Sequence, residues 1–397
     1  MSARISYMGT KHELAASVKE VILSCQPGRV LDAFAGMGAV AESLAGCRPV
    51  WTNDVQHYAY LASSCRFADE GSPPALRLLR RMTSILFREN RSLLREQNAT
   101  ALRLTRKAIA AEDYSTFERA FLSAASTPVQ TQFAYGCFSR LYSHGYFSLE
   151  QCIEIDSIRY ALEVARGRGE LSSKQFNWAL VALGRALLRV ANTTGHFAQF
   201  LTPSLHNYQR VIKQFRRSVW REWLESVRLL EPVGTPQWRS ENMATRADSM
   251  TLLQDPRYRA CASVVYCDPP YTDDQYSRFY HVWETLVLYD YPEVSGKGRY
   301  RPGRFTTEFS LSAKVENAFR QLVESVSTTG ADLVLSYPSN GLLHQIGRAP
   351  LDIILESYPS AETATAIAFS HSTMGASKGA AKADVIELIY VGRAKAA

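Results

Sequence analysis

The residues of this chain best suited to chemistry are Asp268, Pro269, Pro270 and Tyr271, which follow an apolar run over residues 262–267. The run predicts a buried strand, and the prolines predict a stiff turn at its end. Because proline restricts its own φ and the residue before it, the Asp268 carboxylate and the Pro269 carbonyl become rigid acceptors beside the Tyr271 ring. A planar ring with an exocyclic NH2 group can donate to both acceptors while it stacks on Tyr271. Taken alone, the four residues also suit a proline turn with an ordinary surface tyrosine.

A glycine loop near the N-terminus is the second pattern with chemical meaning. Residues 29–34 predict a strand, residues 35–38 (Ala-Gly-Met-Gly) a loop, residues 39–44 a helix, and residues 49–54 a second strand. Strand, loop, helix and strand in this order begin a doubly wound sheet.

The loop and the second strand predict a ligand site. Gly36 and Gly38 form only a G-x-G, without the third glycine of a dinucleotide fingerprint, so a ligand end smaller than a pyrophosphate is favoured. Asp54 ends the second strand, where an acid accepts hydrogen bonds from ribose hydroxyls. A helix-start glycine turn and a helix-capping Asp are the structural alternatives.

The rest of the chain divides into a helical block and a return to strands. Residues 13–23 predict a short helix before the first strand. Long basic amphipathic helices are predicted over 76–95, 176–191 and 208–230, with loops or short strands over the aromatic and glycine-rich stretch 133–147. After residue 255 we predict a helix over 315–326 and strands over 331–337 and 385–391. The helical block is therefore an insertion within an α/β domain.

The positive charge is concentrated in this insertion. Residues 66–239 contain 25 Lys and Arg against 15 Asp and Glu, while the whole chain has a net charge of +7. Such an excess suits a surface that faces phosphates, since neutralising phosphates releases counterions. A set of solvated arginine-rich helix faces is the alternative.

Length and composition set further expectations. With 397 residues and 46% hydrophobic residues, the chain can bury one large core and a second domain. No run of 18 apolar residues and no secretory leader pattern occurs, so a soluble cytoplasmic protein without membrane contact is expected. The seven cysteines form no C-x-x-C pair, which favours reduced thiols and no metal site.

In their order along the chain, these motifs resemble the Dam-type (alpha-class) DNA adenine-N6 methyltransferases. The resemblance rests on Tyr7-Met8-Gly9-Thr10-Lys11, Asp32-Ala33-Phe34-Ala35-Gly36-Met37-Gly38, Asp54, Ala247-Asp248-Ser249-Met250 and the tetrad 268–271. It covers both ends of the chain, and the order is more specific than any single motif. It implies a Rossmann-like S-adenosylmethionine-dependent methyltransferase sheet with an inserted, mainly helical target recognition domain. Residues 1–65 and 241–397 would form the catalytic domain, and residues 66–240 the recognition domain.

The resemblance also implies roles for single residues. Tyr7, Lys11 and Phe34 would lie at the cofactor pocket, Gly36 and Gly38 would let the backbone approach the methionine part, and Asp54 would bind the ribose. Asp248 would accept from the cofactor's adenine amine, and Asp268 would lie between the methyl donor and the target base. A core aromatic at Tyr7, a solvated Lys11 and a capping Asp248 are the structural alternatives.

The tetrad chemistry fits adenine, whose amino lone pair is delocalised into the ring. Two acceptors on its N–H bonds would orient that nitrogen toward a sulfonium methyl, without a metal or a covalent nucleophile. The amine is reached in a DNA duplex only after the base flips out. An acid in the first tetrad position favours adenine over cytosine-N4.

We therefore expect double-stranded DNA as substrate, and a cognate restriction endonuclease is the partner that a restriction-modification context would supply. The predicted phosphate contacts are Arg210, Lys213, Arg216 and Arg217 in the insertion and Arg299, Arg301 and Arg304 in a basic, glycine-rich segment. A ribosomal RNA adenine methyltransferase and a non-catalytic DNA-binding relative are the alternatives. The recognition sequence and the oligomeric state do not follow from the sequence.

Overall fold

The computed structural model describes residues 14–68, 71–132, 134–370 and 384–394. Within them the chain forms two compact units. The sheet unit comprises residues 14–68, 232–277, 305–370 and 384–394, and the helical unit comprises Gly71–Glu231 and Arg278–Arg304. None of the helices in these ranges combines the length and the apolar character that a membrane-spanning segment needs.

The sheet unit is built on seven strands within the described ranges: β1 (Val30–Asp32), β2 (Val50–Asn53), β3 (Met243–Thr245), β4 (Val264–Cys267), β5 (Asp332–Pro338), β6 (Glu362–Ser370) and β7 (Asp384–Gly392). Their order is β3-β2-β1-β4-β5-β7-β6, with the first five parallel and β7 antiparallel to β5 and β6. The strand order reverses between β1 and β4, and open α/β sheets bind ligands at the carboxyl ends of strands at such a point. The predicted doubly wound α/β sheet is confirmed.

The parallel strands are apolar on both faces because both faces are covered. Leu31 and Val265 belong to one buried cluster, which also contains residues of the helix over 315–327. Val30 and Val264, one position earlier, belong to a second cluster with residues of the helix over 15–23. Since successive side chains in a strand point to opposite faces, neighbouring residues fill different cores.

The helices follow in chain order. They are α1 (Ala15–Leu23), α2 (Ala39–Ser43), α3 (His57–Phe67), α4 (Leu76–Gln97), α5 (Ala99–Ile109), α6 (Tyr114–Ser126), α7 (Cys137–Tyr142), α8 (Leu149–Gly167), α9 (Ser173–Val190), α10 (Tyr208–Phe215), α11 (Val219–Leu229), α12 (Pro236–Ser240), α13 (Ser249–Gln254), α14 (Ser277–Leu288), α15 (Val315–Ser327), α16 (Leu342–Gln345) and α17 (Pro350–Ser357). The helical unit contains α4 to α11 and most of α14.

Two predictions about the insertion differ from the structure. The helix predicted over 208–230 is two helices, because Ser218 has an extended backbone and caps α11 by accepting from the Arg221 N–H. The stretch 133–147, predicted as loop or short strands, contains α7. The α7 N-terminus is held by the Asp156 carboxylate of α8, which accepts from the Phe138 and Ser139 N–H groups at 2.8 Å each. Such a cap, supplied from 17 or 18 residues further along the chain, leaves no signal within the capped segment.

Residues 278–304 belong to the helical unit, whereas the predicted catalytic domain included them. Their buried contacts explain this: the Phe197 N–H donates to the Phe279 carbonyl at 2.9 Å, and the Trp283 indole donates to the Gly184 carbonyl at 2.8 Å. The roles assigned to the two predicted domains stay a prediction.

Candidate active site

Acidic residues end neighbouring strands at the carboxyl edge of the sheet. Asp32 is the last residue of β1, Asp54 follows β2, and Asp268 follows β4. Parallel pairing joins Asp32 to Thr52 of β2 and to Tyr266 of β4. The three acids therefore lie at the same edge of the sheet, on the neighbouring strands β2, β1 and β4.

Asp54 is tied to the glycine loop. Its Oδ2 accepts from the Gly36 N–H and its Oδ1 accepts from the Gln56 N–H, both at 2.9 Å. Gly36 has a φ of 51°, a left-handed conformation that glycine adopts without strain. These bonds orient the carboxylate and join the loop after β1 to the end of β2.

Gly38 has a packing role that the sequence did not reveal. It begins α2 with a φ of 73°, and a Cβ atom built there would lie 2.1 Å from Cε2 of the buried Phe67 ring. The absence of a side chain at Gly38 is therefore required by the core. A contact to the methionine part of a cofactor stays a prediction.

Asp32 was not assigned a role from the sequence, yet its pKa is strongly raised. Only 3% of its surface is exposed, and its Oδ1 atom has no hydrogen-bond partner among the described residues. Burial, and then the charges of Asp268 and Asp54, raise the pKa of Asp32 to about 8, against the effect of a hydrogen bond from the Phe34 backbone. An acid that ends a buried strand before a glycine loop is the signal that would have found it.

The tetrad begins where β4 ends. Asp268 is half-buried and Pro269 is buried. Burial, and then the charge of Asp268, raise the pKa of the Tyr266 phenol two residues earlier. The charge of the Asp268 carboxylate thus disfavours ionisation of a phenol that is buried in β4.

Tyr271 is held from two sides. Its carbonyl accepts from the Leu342 N–H at 2.8 Å, and its ring lies edge-on to Tyr337 at a centroid distance of 6.5 Å. Tyr337 is fully buried and its hydroxyl accepts from the Leu343 N–H at 3.0 Å. The end of β5 therefore supports the tetrad's aromatic residue.

The segment after the tetrad is anchored as well. The Gln275 side chain donates to the Thr307 carbonyl at 3.1 Å and accepts from the Thr307 N–H at 2.8 Å. The Ser310 hydroxyl donates to the Asp274 carbonyl at 3.0 Å. In the same region the Phe34 ring lies edge-on to Phe309 at 5.9 Å. Residues 272–277 and 305–310 therefore form one connected layer of the sheet unit.

The remaining predicted cofactor contacts are less defined by the structure. Tyr7 and Lys11 lie outside the described residues. Asp248 is exposed and caps α13, since its Oδ1 accepts from the Thr251 N–H at 3.0 Å. Capping is the alternative that the sequence left open, and a contact to adenine stays a prediction.

The basic residues predicted in α10 and just after it make intramolecular contacts. Arg210 donates to the Thr193 carbonyl at 2.9 Å, and Arg216 donates to the Ile109 carbonyl at 2.8 Å. Arg217 forms an ion pair with Glu222 at 2.7 Å. Lys213 is exposed.

The basic residues of the later segment are structural too. Arg299 donates to the carbonyls of Leu141 and Ser143, at 2.9 and 2.7 Å, and burial lowers its pKa. Arg301 forms an ion pair with Asp290 at 2.7 Å, and Arg304 lies 4.5 Å from the centroid of the Tyr300 ring. These contacts give the three arginines structural roles within the helical unit. The binding of these arginines to DNA stays a prediction.

Comparison with known proteins bears on the same residues. Residues 248–333 match the family model of the D12 class N6 adenine-specific DNA methyltransferases, a range that includes the tetrad. The chain is similar to the modification methylase LlaI of Lactococcus lactis subsp. lactis, with 23% identity over 88% of the chain and 48% of that protein. It is also similar to the type II methyltransferase M.FokI of Planomicrobium okeanokoites, with 24% identity over 90% of the chain and 47% of that protein.

A further relative is the type II methyltransferase M.NlaIII of Neisseria lactamica, with 23% identity over 50% of the chain and 52% of that protein. The chain thus spans about half the length of the curated relatives it matches. The match over the tetrad confirms the resemblance found in the sequence: residues 248–333 are similar to the D12 class N6 adenine-specific DNA methyltransferases.

Proposed function

We propose that this chain transfers a methyl group from S-adenosylmethionine to the 6-amino group of an adenine flipped out of duplex DNA. The observation that carries the proposal is the tetrad at the carboxyl end of β4, next to Asp32 and the glycine loop at the end of β1. The family match over residues 248–333 supports the reaction class.

The carboxyl edge fits a cationic cofactor. Asp32 presents a buried carboxyl oxygen that lacks a partner among the described residues, and Asp54 is oriented by two backbone N–H groups. A positive ligand charge would favour the ionised form of Asp32, which burial disfavours in the free protein. When bound, S-adenosylmethionine supplies a methyl group on a positively charged sulfur.

The residues that would hold this cofactor are those that the sequence resemblance implies. Asp54 would accept from the ribose hydroxyls and Asp248 from the adenine amine. Gly36 would leave room for the methionine part, and Phe34 would pack beside it. Tyr7 and Lys11 complete the set as the sequence resemblance implies.

The tetrad's own task is to hold the target amine. The Asp268 carboxylate and the Pro269 carbonyl would accept its two N–H bonds, which localises the nitrogen lone pair and aims it at the methyl group. Tyr271 would stack on the flipped base. Its backbone and ring are already held by Leu342 and Tyr337. Little conformational entropy is therefore lost when the base binds.

Transfer of labelled methyl groups from S-adenosylmethionine to unmethylated duplex DNA, followed by nucleoside digestion, tests the proposal. We expect N6-methyladenine. Asp268→Ala removes one acceptor from the amine and should lower the rate about 100- to 1,000-fold. Asp273→Ala is a matched control, because Asp273 is an exposed carboxylate of the same segment, and it should keep the wild-type rate.

The outcomes separate the alternatives. Labelled adenine in RNA but not in DNA would favour an RNA methyltransferase. Absence of both saturable cofactor binding and any labelled nucleoside would refute the catalytic proposal and favour a DNA-binding relative. Equal rates for the Asp268 and Asp273 variants would refute the role of the tetrad.

The cofactor contact has its own test. Asp54→Asn replaces a charged acceptor with a neutral amide and should weaken S-adenosylmethionine binding about 10- to 100-fold in calorimetry. An unchanged affinity would show that Asp54 serves only the loop.

The biological setting is proposed by analogy. Relatives named as modification methylases suggest that this chain protects DNA against a cognate endonuclease. Restriction digestion of DNA methylated by the chain, against a panel of endonucleases, would identify the protected sequence.

A further inference from the structure

One face of α4 (Leu76–Gln97) is composed of arginine and serine alone. An α-helix turns by about 100° per residue, and a face of about 120° along α4 contains eight positions. They are Arg77, Arg80, Arg81, Ser84, Arg88, Arg91, Ser92 and Arg95. We call the six arginines the α4 arginine face.

The opposite side of α4 fixes this face in place. Leu79, Leu86 and Leu94 are buried. Asn90, on the same side, donates to the Ser157 hydroxyl of α8 at 3.3 Å. Because the helix is anchored through its buried side, the arginines stand on a rigid backbone and face away from the core.

The two ends of the arginine face differ in their partners. At the C-terminal end, Arg91 and Arg95 lie 2.7 and 3.8 Å from Glu150 of α8. Arg106 of α5 reaches the same carboxylate at 3.2 Å. Three arginines thus share Glu150, and a positive excess remains even there.

The other four arginines, Arg77, Arg80, Arg81 and Arg88, form the open half of the face. All four are exposed, and within the described part of the chain none of them forms an ion pair. Among the described residues, the hydrogen-bond acceptor of Arg88 is the Ser84 carbonyl one turn earlier. The nearest acid along α4, Glu89, is turned about 100° away from Arg88.

This arrangement is unfavourable for an isolated helix. Arg77 is three and four residues from Arg80 and Arg81, and like charges at these spacings destabilise a helix. An acidic partner would remove the repulsion. A polyanion also suits arginine in particular, since its planar guanidinium can bind phosphate through two hydrogen bonds.

We propose that the open half of the α4 arginine face binds the sugar-phosphate backbone of duplex DNA. This inference rests on the proposed function, because it supplies the contact surface for that substrate. From Arg77 to Arg88 the face is about 16 Å long at the helical rise. Duplex DNA carries about ten phosphate charges over that length. The contact is independent of base sequence and contributes affinity and register.

The proposal differs from the phosphate contacts expected from the sequence. Arg210 and Arg216 donate to backbone carbonyls, and Arg217 is paired with Glu222. Using those groups on DNA would break existing contacts. The open half of the α4 face requires no such exchange of ion pairs.

The test is the salt dependence of binding to a labelled DNA duplex, measured by fluorescence anisotropy. The variant carries Arg77→Gln, Arg81→Gln and Arg88→Gln. Loss of three phosphate contacts should lower the slope of log affinity against log salt by about 2.7. For the unaltered chain, raising the salt from about 50 to 200 mM lowers the affinity by a certain factor. For the variant that factor should be about 40-fold smaller.

A charge-matched control separates local contact from net charge. Arg119→Gln, Arg168→Gln and Arg228→Gln remove the same charge from exposed positions of the helical unit, and should change the slope by less than about one. Equal slopes for the two triple variants would overturn the proposal. So would tighter binding of the unaltered chain to RNA than to duplex DNA, or no binding to duplex DNA at all.

Two further measurements distinguish the loss of phosphate contacts from a change in helix structure. The variant with Arg77→Lys, Arg81→Lys and Arg88→Lys keeps the charge and should keep most of the slope. A slope as low as that of the glutamine variant would assign the effect to helix structure and overturn the proposal. Thermal melting followed by circular dichroism should show no loss of stability in any variant, and the midpoint of the glutamine variant should equal or exceed that of the unaltered chain because repulsion between like charges is removed.

Methyl transfer distinguishes this inference from the proposed function. At saturating DNA the glutamine variant should keep kcat, while its KM for DNA rises. If the unaltered chain transfers no methyl group but the glutamine variant still has a lower slope of log affinity against log salt, only the proposed function is refuted. If methyl transfer occurs and the glutamine variant and the charge-matched control give equal slopes, only the proposed role of the α4 face is refuted.

Discussion

Replacing Gly38 by alanine should destabilise the sheet unit because two separate costs coincide at this position. Gly38 has a φ of 73°, and its missing Cβ atom would lie 2.1 Å from Cε2 and 2.6 Å from Cζ of Phe67. Phe67 is fully buried in the cluster that contains Val30 and Val264. The ring cannot move without disturbing that core.

The magnitude follows from the two costs. A non-glycine residue in the left-handed region costs about 1–2 kcal/mol. Forcing an extra methyl group into a packed core costs about 1–3 kcal/mol. Gly38→Ala should therefore lower the free energy of unfolding of the sheet unit by about 2–5 kcal/mol.

Gly46 is a matched control for the conformational part. Its φ is 72°, and a Cβ atom there would meet nothing within 4 Å. Gly46→Ala should therefore cost only the about 1–2 kcal/mol of the left-handed conformation. The difference between the two variants isolates the clash with Phe67.

Native-state hydrogen exchange of the β1 and β2 amides is the suitable assay, because the chain has two units and need not unfold in one step. In a Phe67→Leu background the clash is relieved, so the added cost of Gly38→Ala should fall toward that of Gly46→Ala. The reasoning is refuted if Gly38→Ala costs no more than Gly46→Ala, or if the Phe67 background leaves its cost unchanged.

Three further changes test other parts of the structure. Burial raises the pKa of Asp32 to about 8, so its neutral form dominates in the folded state below that pH. The free energy of unfolding should therefore fall as the pH rises from about 4 to 8. Asp32→Asn should flatten that decline when stability is measured by urea unfolding. Asp156→Asn puts an amide donor against the N–H groups of α7 and the Tyr289 hydroxyl, which Asp156 accepts at 2.6 Å, and should cost about 2–4 kcal/mol of stability in the helical unit. An unchanged denaturation midpoint would contradict this. Gln275→Ala removes both bonds to Thr307 and should speed exchange of the Thr307 amide, while exchange in β1 stays as it was.

Local patterns identified the parts of the sheet that lie closest to the site. Apolar runs predicted β1, β2 and β4 to within one or two residues, because a strand covered on both faces needs consecutive apolar side chains. Strand β3, with half-buried residues, and strand β6 gave no comparable signal. Their pairing depends on neighbours that are distant in the chain.

The helical unit shows the same division. Amphipathic spacing predicted α4 and α9, whereas α7 depends on Asp156 of α8 and the break before α11 depends on the conformation of Ser218. A cap supplied through space leaves no pattern in the segment that it caps.

The sequence by itself predicted which residues are suited to the chemistry: the tetrad 268–271, the glycine loop and Asp54, in an order that resembles a known family. Tertiary structure alone decided what surrounds them. It brought Asp32 beside Asp268 and buried it, and it made Gly38 a packing position against Phe67. It also separated arginines that are neutralised by a carboxylate, such as Arg91, from those of the open half of the α4 face. The physical reason is that residue type and spacing fix a side chain's capacity, while its charge state and contacts depend on burial and on groups far away in the chain.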